Sequence, residues 1–155
     1  MAHLRVSLLV LVCGFSSLSA QSAVQRVKET TLPSGWRVDC LVDEVYATRQ
    51  CFAAKFGRTI GAGISAPFRI VFIDTVGPEV QPGFNTFPGK VPIVRVDSNP
   101  PIFDMHAPEL IEQLKKGTIV RAEYYVWPSG AERMTLDPAG FAEAYDLLLQ
   151  KVKGR

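Results

Sequence analysis

Trp36-Arg37-Val38-Asp39-Cys40-Leu41-Val42 and, after a polar turn, Gln50-Cys51-Phe52-Ala53-Ala54-Lys55-Phe56 decide the fold of this chain. In the first segment Trp36, Val38, Cys40 and Val42 alternate with Arg37, Asp39 and Leu41, the two-residue period of a strand with one face buried. Asp43-Glu44 to Thr48-Arg49 turn the chain, and a hairpin then brings Cys40 opposite Cys51. Asp43 and Glu44 read as solvated turn residues rather than as a proton-sharing carboxylate pair.

Upstream, a basic head with Arg5 precedes the apolar run from Val6 to Phe15, and small residues lead to Ala20 before polar Gln21-Ser22. That is the three-part order of a secretory signal peptide, expected over residues 1–20 with a cut after Ala20 or, alternatively, Ala23. The apolar run is too short to span a bilayer, which takes about 20 residues. Export removes Cys13 and leaves Cys40 and Cys51, an even pair best read in an oxidising compartment as one disulfide. A metal site would need further ligands, and His106 is then the only histidine left. No metal or cofactor is expected.

Residues 21–34 are polar, end in Pro33-Ser34-Gly35 and read as a flexible leader, with a single domain over 35–153. After the hairpin, Phe68 to Asp74 is aromatic and β-branched, a third strand. Eight of the eleven prolines fall between Pro67 and Pro108, so the stretch carrying Phe84 and Phe87 reads as a loop. Val91 to Asp97 is a strand with Pro92 at its start or at an edge. Pro108 to Lys116 is a short helix with Leu110, Ile111 and Leu114 on one face and Gly117 as its stop. Thr118 to Trp127 and Ala131 to Leu136 form a hairpin around Pro128-Ser129-Gly130. A helix over 138–152 follows, with Asp137 as cap and Phe141, Ala144, Tyr145, Leu148 and Val152 at helical spacing. These elements predict a mainly β sandwich with two helices.

Charge and motif exclude several functions. With 17 basic and 15 acidic residues the chain is nearly neutral, and loss of Arg5 leaves 16 against 15. Lys115-Lys116, the adjacent basic pair, sits where it favours the end of a helix, so nucleic acid is not an expected partner. Gly61-Ala62-Gly63 lacks the lysine of a phosphate loop. No Gly-x-Ser-x-Gly elbow occurs, and His106 has no visible catalytic companion, which leaves it a surface histidine beside a helix start.

The order and spacing of several short motifs resemble the invasion-associated locus B proteins of alphaproteobacteria. They are Trp36-Arg37-Val38-Asp39-Cys40 with a second cysteine about ten residues on, Val94-Arg95-Val96-Asp97, Pro128-Ser129-Gly130, Met134-Thr135-Leu136-Asp137 and Gly140-Phe141-Ala142-Glu143-Ala144-Tyr145. The resemblance runs from Trp36 to about Leu149. It implies an immunoglobulin-like β-sandwich in the periplasm or secreted, linked to host-cell interaction, and no catalytic residues. Many members carry a second cysteine pair before the first helix, where this chain has Phe103-Asp104-Met105-His106.

Two candidate partner surfaces follow from the residues. One is the loop with Phe84 and Phe87, whose aromatics either contact a partner or plug one end of the sandwich. The other is the row Arg121, Glu123, Tyr125, Trp127, which alternation sends outward because Val120, Ala122, Tyr124 and Val126 must face the core. Aromatics beside an arginine are the composition of binding hot spots. The competing expectation is that the terminal helix covers these aromatics. The functional expectation is a non-enzymatic exported protein that binds a protein partner, without a stable membrane span. A periplasmic enzyme or accessory subunit with a polar site is the alternative, and it would need a concave pocket with converging titratable groups.

Overall fold

The computed structural model describes residues 24–45, 47–60, 65–73 and 76–154. The expected signal peptide, with Cys13 inside it, lies outside the described residues.

The decisive hairpin forms as its alternation requires. β2 (Arg37–Asp43) and β3 (Thr48–Ile60) pair antiparallel with Cys40 directly opposite Cys51, and the two are joined in a disulfide. Trp36, Val38, Cys40, Cys51 and Ala53 bury one face of the pair. Asp39, in the outward phase, is nonetheless only 1% exposed.

β3 is longer than its apolar run suggests, because it continues through Gly57 to Ile60. β4 (Ser65–Ile73) pairs along one edge of it. The other edge is shared: β2 takes residues 48–54, and β8 (Gly130–Leu136) takes Arg58, Thr59 and Ile60. β7 (Val120–Val126) joins β8, and β6 (Ile93–Val96) joins β7, giving the order β1-β2-β3-β8-β7-β6 with β4 and β5 branching from β3. Every pairing is antiparallel. The result is the mainly β, sandwich-like architecture that the pattern predicts.

Two strands overturn sequence expectations. Residues 24–31 are not a flexible leader: Val24–Thr31 forms β1, antiparallel to β2. The segment is an edge strand held by backbone hydrogen bonds, so its polar composition imitates a linker. Within the proline-rich stretch, Val76–Pro82 forms β5, which pairs only with β4. Prolines lack the N–H of a ladder and are tolerated at such an edge. Beyond β5, the Val80 amide donates to the Met105 carbonyl at 2.9 Å, so the segment before the first helix lies along the outer edge of β5.

Helix α1 (Pro108–Lys116) begins at its proline and buries Leu110, Ile111 and Leu114. Helix α2 (Phe141–Lys153) starts three residues later than expected. Asp137 caps no helix. Its Oδ1 accepts from the Ala139 amide at 2.8 Å in a turn ahead of α2. α2 lies over the inner faces of β2 and β3, where Phe141 packs on Trp36 at 5.3 Å and Tyr145 on Phe72 at 6.2 Å between ring centroids. The Trp36 indole N–H donates to the Ala139 carbonyl at 3.1 Å, which satisfies the one polar atom of a fully buried side chain.

Candidate functional site

Alternation along β7 places Val120, Ala122 and Tyr124 in the core, leaving Arg121 exposed and Tyr125 half-buried on the outer face. Trp127, just past the strand, is 65% exposed. α2 is occupied with Trp36 and Phe72, so the terminal helix does not cover these aromatics.

What lies against them is the loop after β5. The Tyr125 amide donates to Asn85 Oδ1 at 3.0 Å, and the Tyr125 carbonyl accepts from the amides of Thr86 at 2.9 Å and Phe87 at 3.2 Å. Thr86 Oγ1 then accepts from the Trp127 amide at 3.0 Å. The loop therefore serves as a short substitute strand beside β7, beyond the point where β6 ends. It delivers Phe87 edge-on to Trp127, with ring centroids 5.2 Å apart at 68°, a favoured aromatic geometry. Lys90 Nζ stands 5.7 Å above the Tyr125 ring, within cation–π range. A shallow groove lined by Thr86, Pro88 and Trp127 runs alongside.

The face beneath is held by charge. The Tyr125 hydroxyl donates to Glu123 at 3.0 Å, and Arg133 pairs with the other oxygen of that carboxylate at 2.9 Å. Hydrogen bonds from Arg133 and then Tyr125 hold the Glu123 carboxyl below its ordinary range, and the bond to Glu123, followed by burial, raises the Tyr125 phenol. On the inner side, burial pushes the Tyr124 phenol up to about 12, with its bond to Glu132 Oε2 at 2.9 Å adding to the effect. Gly83 anchors the loop. Its φ is +61° and a Cβ there would collide with the Tyr124 ring, so both conformation and space call for glycine.

The structure thus brings Tyr125, Trp127 and Phe87 together and separates two other candidates. Arg121 is four residues before Tyr125, about 13 Å along an extended strand, and its guanidinium donates to the Asp97 carbonyl at 3.4 Å. Phe84 is 53% exposed and lines a different depression with Phe52 and Phe56. It does not plug an end of the sandwich. Asn85, Thr86 and Lys90 belong to the site but were not singled out in the sequence. A polar turn composition was their only signal, and their partners lie some 40 residues away.

A structural counterpart of the enzyme alternative is a cleft of about 460 Å³ lined by Arg69, Glu79, Lys90, Phe103, Asp104 and His106 among others. His106 is exposed beside the start of α1, with Nδ1 3.2 Å from the Pro78 carbonyl oxygen. The cleft lining contains no serine, threonine or cysteine, and its titratable groups are Arg69, Glu79, Lys90, Asp104 and His106. Among the described residues no group of three His, Cys, Asp or Glu side chains is placed to hold a metal ion. No described helix is long and apolar enough to cross a membrane.

No family model, characterised protein or solved structure matches this chain.

Proposed function

We propose that the protein is an exported, non-enzymatic binding module that engages a protein partner through the Phe87–Trp127 end of the β6–β7–β8 face. The observation that carries this reading is an exposed tryptophan whose backbone and ring are already fixed. Thr86 holds its amide and Phe87 its ring, so docking would cost it little additional freedom. Tryptophan and tyrosine in such a setting are the commonest anchors of protein interfaces. Export is supported by the basic, apolar and small-residue order of residues 1–20 and by a disulfide, a bond of oxidising compartments. The resemblance to invasion-associated locus B proteins points the same way, toward an envelope or secreted role in contact with a host.

The test is capture from envelope extract on immobilised mature protein, comparing the native chain with Trp127→Ala. A partner held by the native chain should fall at least ten-fold on the variant while circular dichroism stays native, and His106→Ala should retain it. Equal retention by the Trp127→Ala protein would overturn the assignment of this surface. N-terminal sequencing of protein from the native host should begin at Gln21 or Val24, and an intact Met1 would remove the export component.

A further inference from the structure

A second depression, on the β2–β3–β4 face and bordered by Phe84, has the chemistry of a ligand site. Pairing places Arg37, Ala54, Arg69 and Gln81 in one row across β2, β3, β4 and β5, and such a row projects from one face of the sheet. Ala54 is the small member between two arginines. The gap is a depression of about 240 Å³ with Phe52 and Phe56 along β3 and Phe84 on its rim. Phe56 and Phe84 are 50% and 53% exposed.

The charged groups of this depression differ in what they already hold. Arg37 lies 5.4 Å over the Phe56 ring and 3.6 Å from Glu29. Asp39 is sealed beneath the surface with Oδ1 on the Cys40 amide. Arg69 is different. Its Nε is buried with no hydrogen-bond partner, and no carboxylate of the described residues pairs with it. Nε of Arg69 is itself enclosed, but the side chain is only half-buried and its remaining guanidinium donors have no acceptor among the described residues, so a carboxylate entering the depression can take two of them in bidentate fashion.

We propose that this depression binds a carboxylate attached to an aromatic or apolar body, with Arg69 receiving the carboxylate and Phe52, Phe56 and Phe84 holding the body. The volume suits one ring with a short acid arm and is below the range usual for pockets that hold drug-sized ligands and cofactors. Glu29 and Asp39 in the same lining repel a phosphate dianion more strongly than a monoanionic carboxylate. The carboxylate can come from a free organic acid or from the C-terminus of a peptide ending in an apolar residue. This site shares the Phe84–Phe87 loop with the Phe87–Trp127 surface but contains neither Phe87 nor Trp127.

The experiment titrates the mature protein with phenylacetate and with the isosteric neutral 2-phenylacetamide, followed by calorimetry and amide chemical shifts. Phenylacetate should bind saturably and move the amides of Ala54, Arg69 and Phe84, and the amide should bind at least ten-fold more weakly. Arg69→Gln should weaken phenylacetate roughly ten- to a hundred-fold, the range for losing charge-assisted hydrogen bonds. Trp127→Ala should leave it unchanged. A tetrapeptide ending in phenylalanine, free acid against C-terminal amide, separates the sources: preference for the peptide acid over phenylacetate assigns a peptide C-terminus, and the reverse assigns a free acid. Equal binding of acid and amide, absence of saturable phenylacetate binding, or full affinity in a folded Arg69→Gln protein would each overturn the proposal. If Arg69→Gln fails to fold, the acid and amide comparison on the native chain decides.

Discussion

Gly83→Ala tests whether the loop that builds the aromatic site is fixed by its contact with the buried Tyr124 ring. Three glycines make the comparison internally controlled. Gly77 has ordinary backbone angles and open space around a Cβ, Gly89 has φ +71° and open space, and Gly83 has φ +61° and the Tyr124 ring in the way. Gly77→Ala should be neutral or slightly stabilising, since it only restricts the unfolded chain. Gly89→Ala should cost about 1 kcal/mol for a left-handed alanine. Gly83→Ala adds an overpacking term of about 1–3 kcal/mol, because Tyr124 is buried and tied to Glu132. The total is about 3 kcal/mol, or about 10 °C in melting temperature for a domain of this size. Thermal melts by circular dichroism read the stability of all three variants, and amide shifts at Thr86 and Trp127 read whether the loop has moved. If Gly83→Ala and Gly89→Ala lose the same stability, the Tyr124 contact is not what fixes the loop.

Three further outcomes follow from the geometry. The disulfide joins residues 11 apart in sequence, so reducing it should lower unfolding stability by about 3 kcal/mol, read as a drop of about 1.5 M in the urea midpoint; thiol labelling of the denatured, unreduced mature protein should find no free sulfur. Asp97 accepts from the Thr118 hydroxyl at 2.8 Å and the Ile119 amide at 2.9 Å, bonds that hold its carboxyl below the ordinary range. Because the folded value is the lower one, its contribution is present above the unfolded value of about 3.9 and fades as pH falls through the folded one, so the melting-temperature gap between the native chain and Asp97→Ala should narrow in strong acid. In an alkaline absorbance titration one phenol should ionise late, near about 12, and Tyr124→Phe should abolish that step; a native chain whose phenols all ionise near 10 would contradict the burial of Tyr124.

The sequence was legible wherever a short-range period coincided with burial. The alternation around Trp36 and Cys40 found the hairpin and its disulfide, because partner residues lie within a dozen positions. Alternation likewise placed Tyr125 and Trp127 outward. β1 and β5 escaped because an edge strand is secured by main-chain hydrogen bonds that leave little side-chain signature, and Pro78 and Pro82 further disguised β5. The assembly of the site was illegible for a related reason. Phe87 meets Trp127 only because Asn85 and Thr86 bond to the edge of β7, a long-range event with no local pattern. Phe84 lies three residues from Phe87 in sequence, yet the structure sends it to a different depression.

The divided edge of β3 also bears on how the molecule is assembled. Arg58, Thr59 and Ile60 pair with Thr135, Met134 and Arg133, which arrive about 75 residues later, so closing this join carries a loop-entropy cost that local hairpins do not. A chain delivered N-terminus first therefore leaves the last three residues of β3 without their β8 partners until its final hairpin emerges. During that interval the unfilled position is an open strand edge of the kind that pairs with other chains, so late arrival of residues 130–136 would favour strand exchange between molecules.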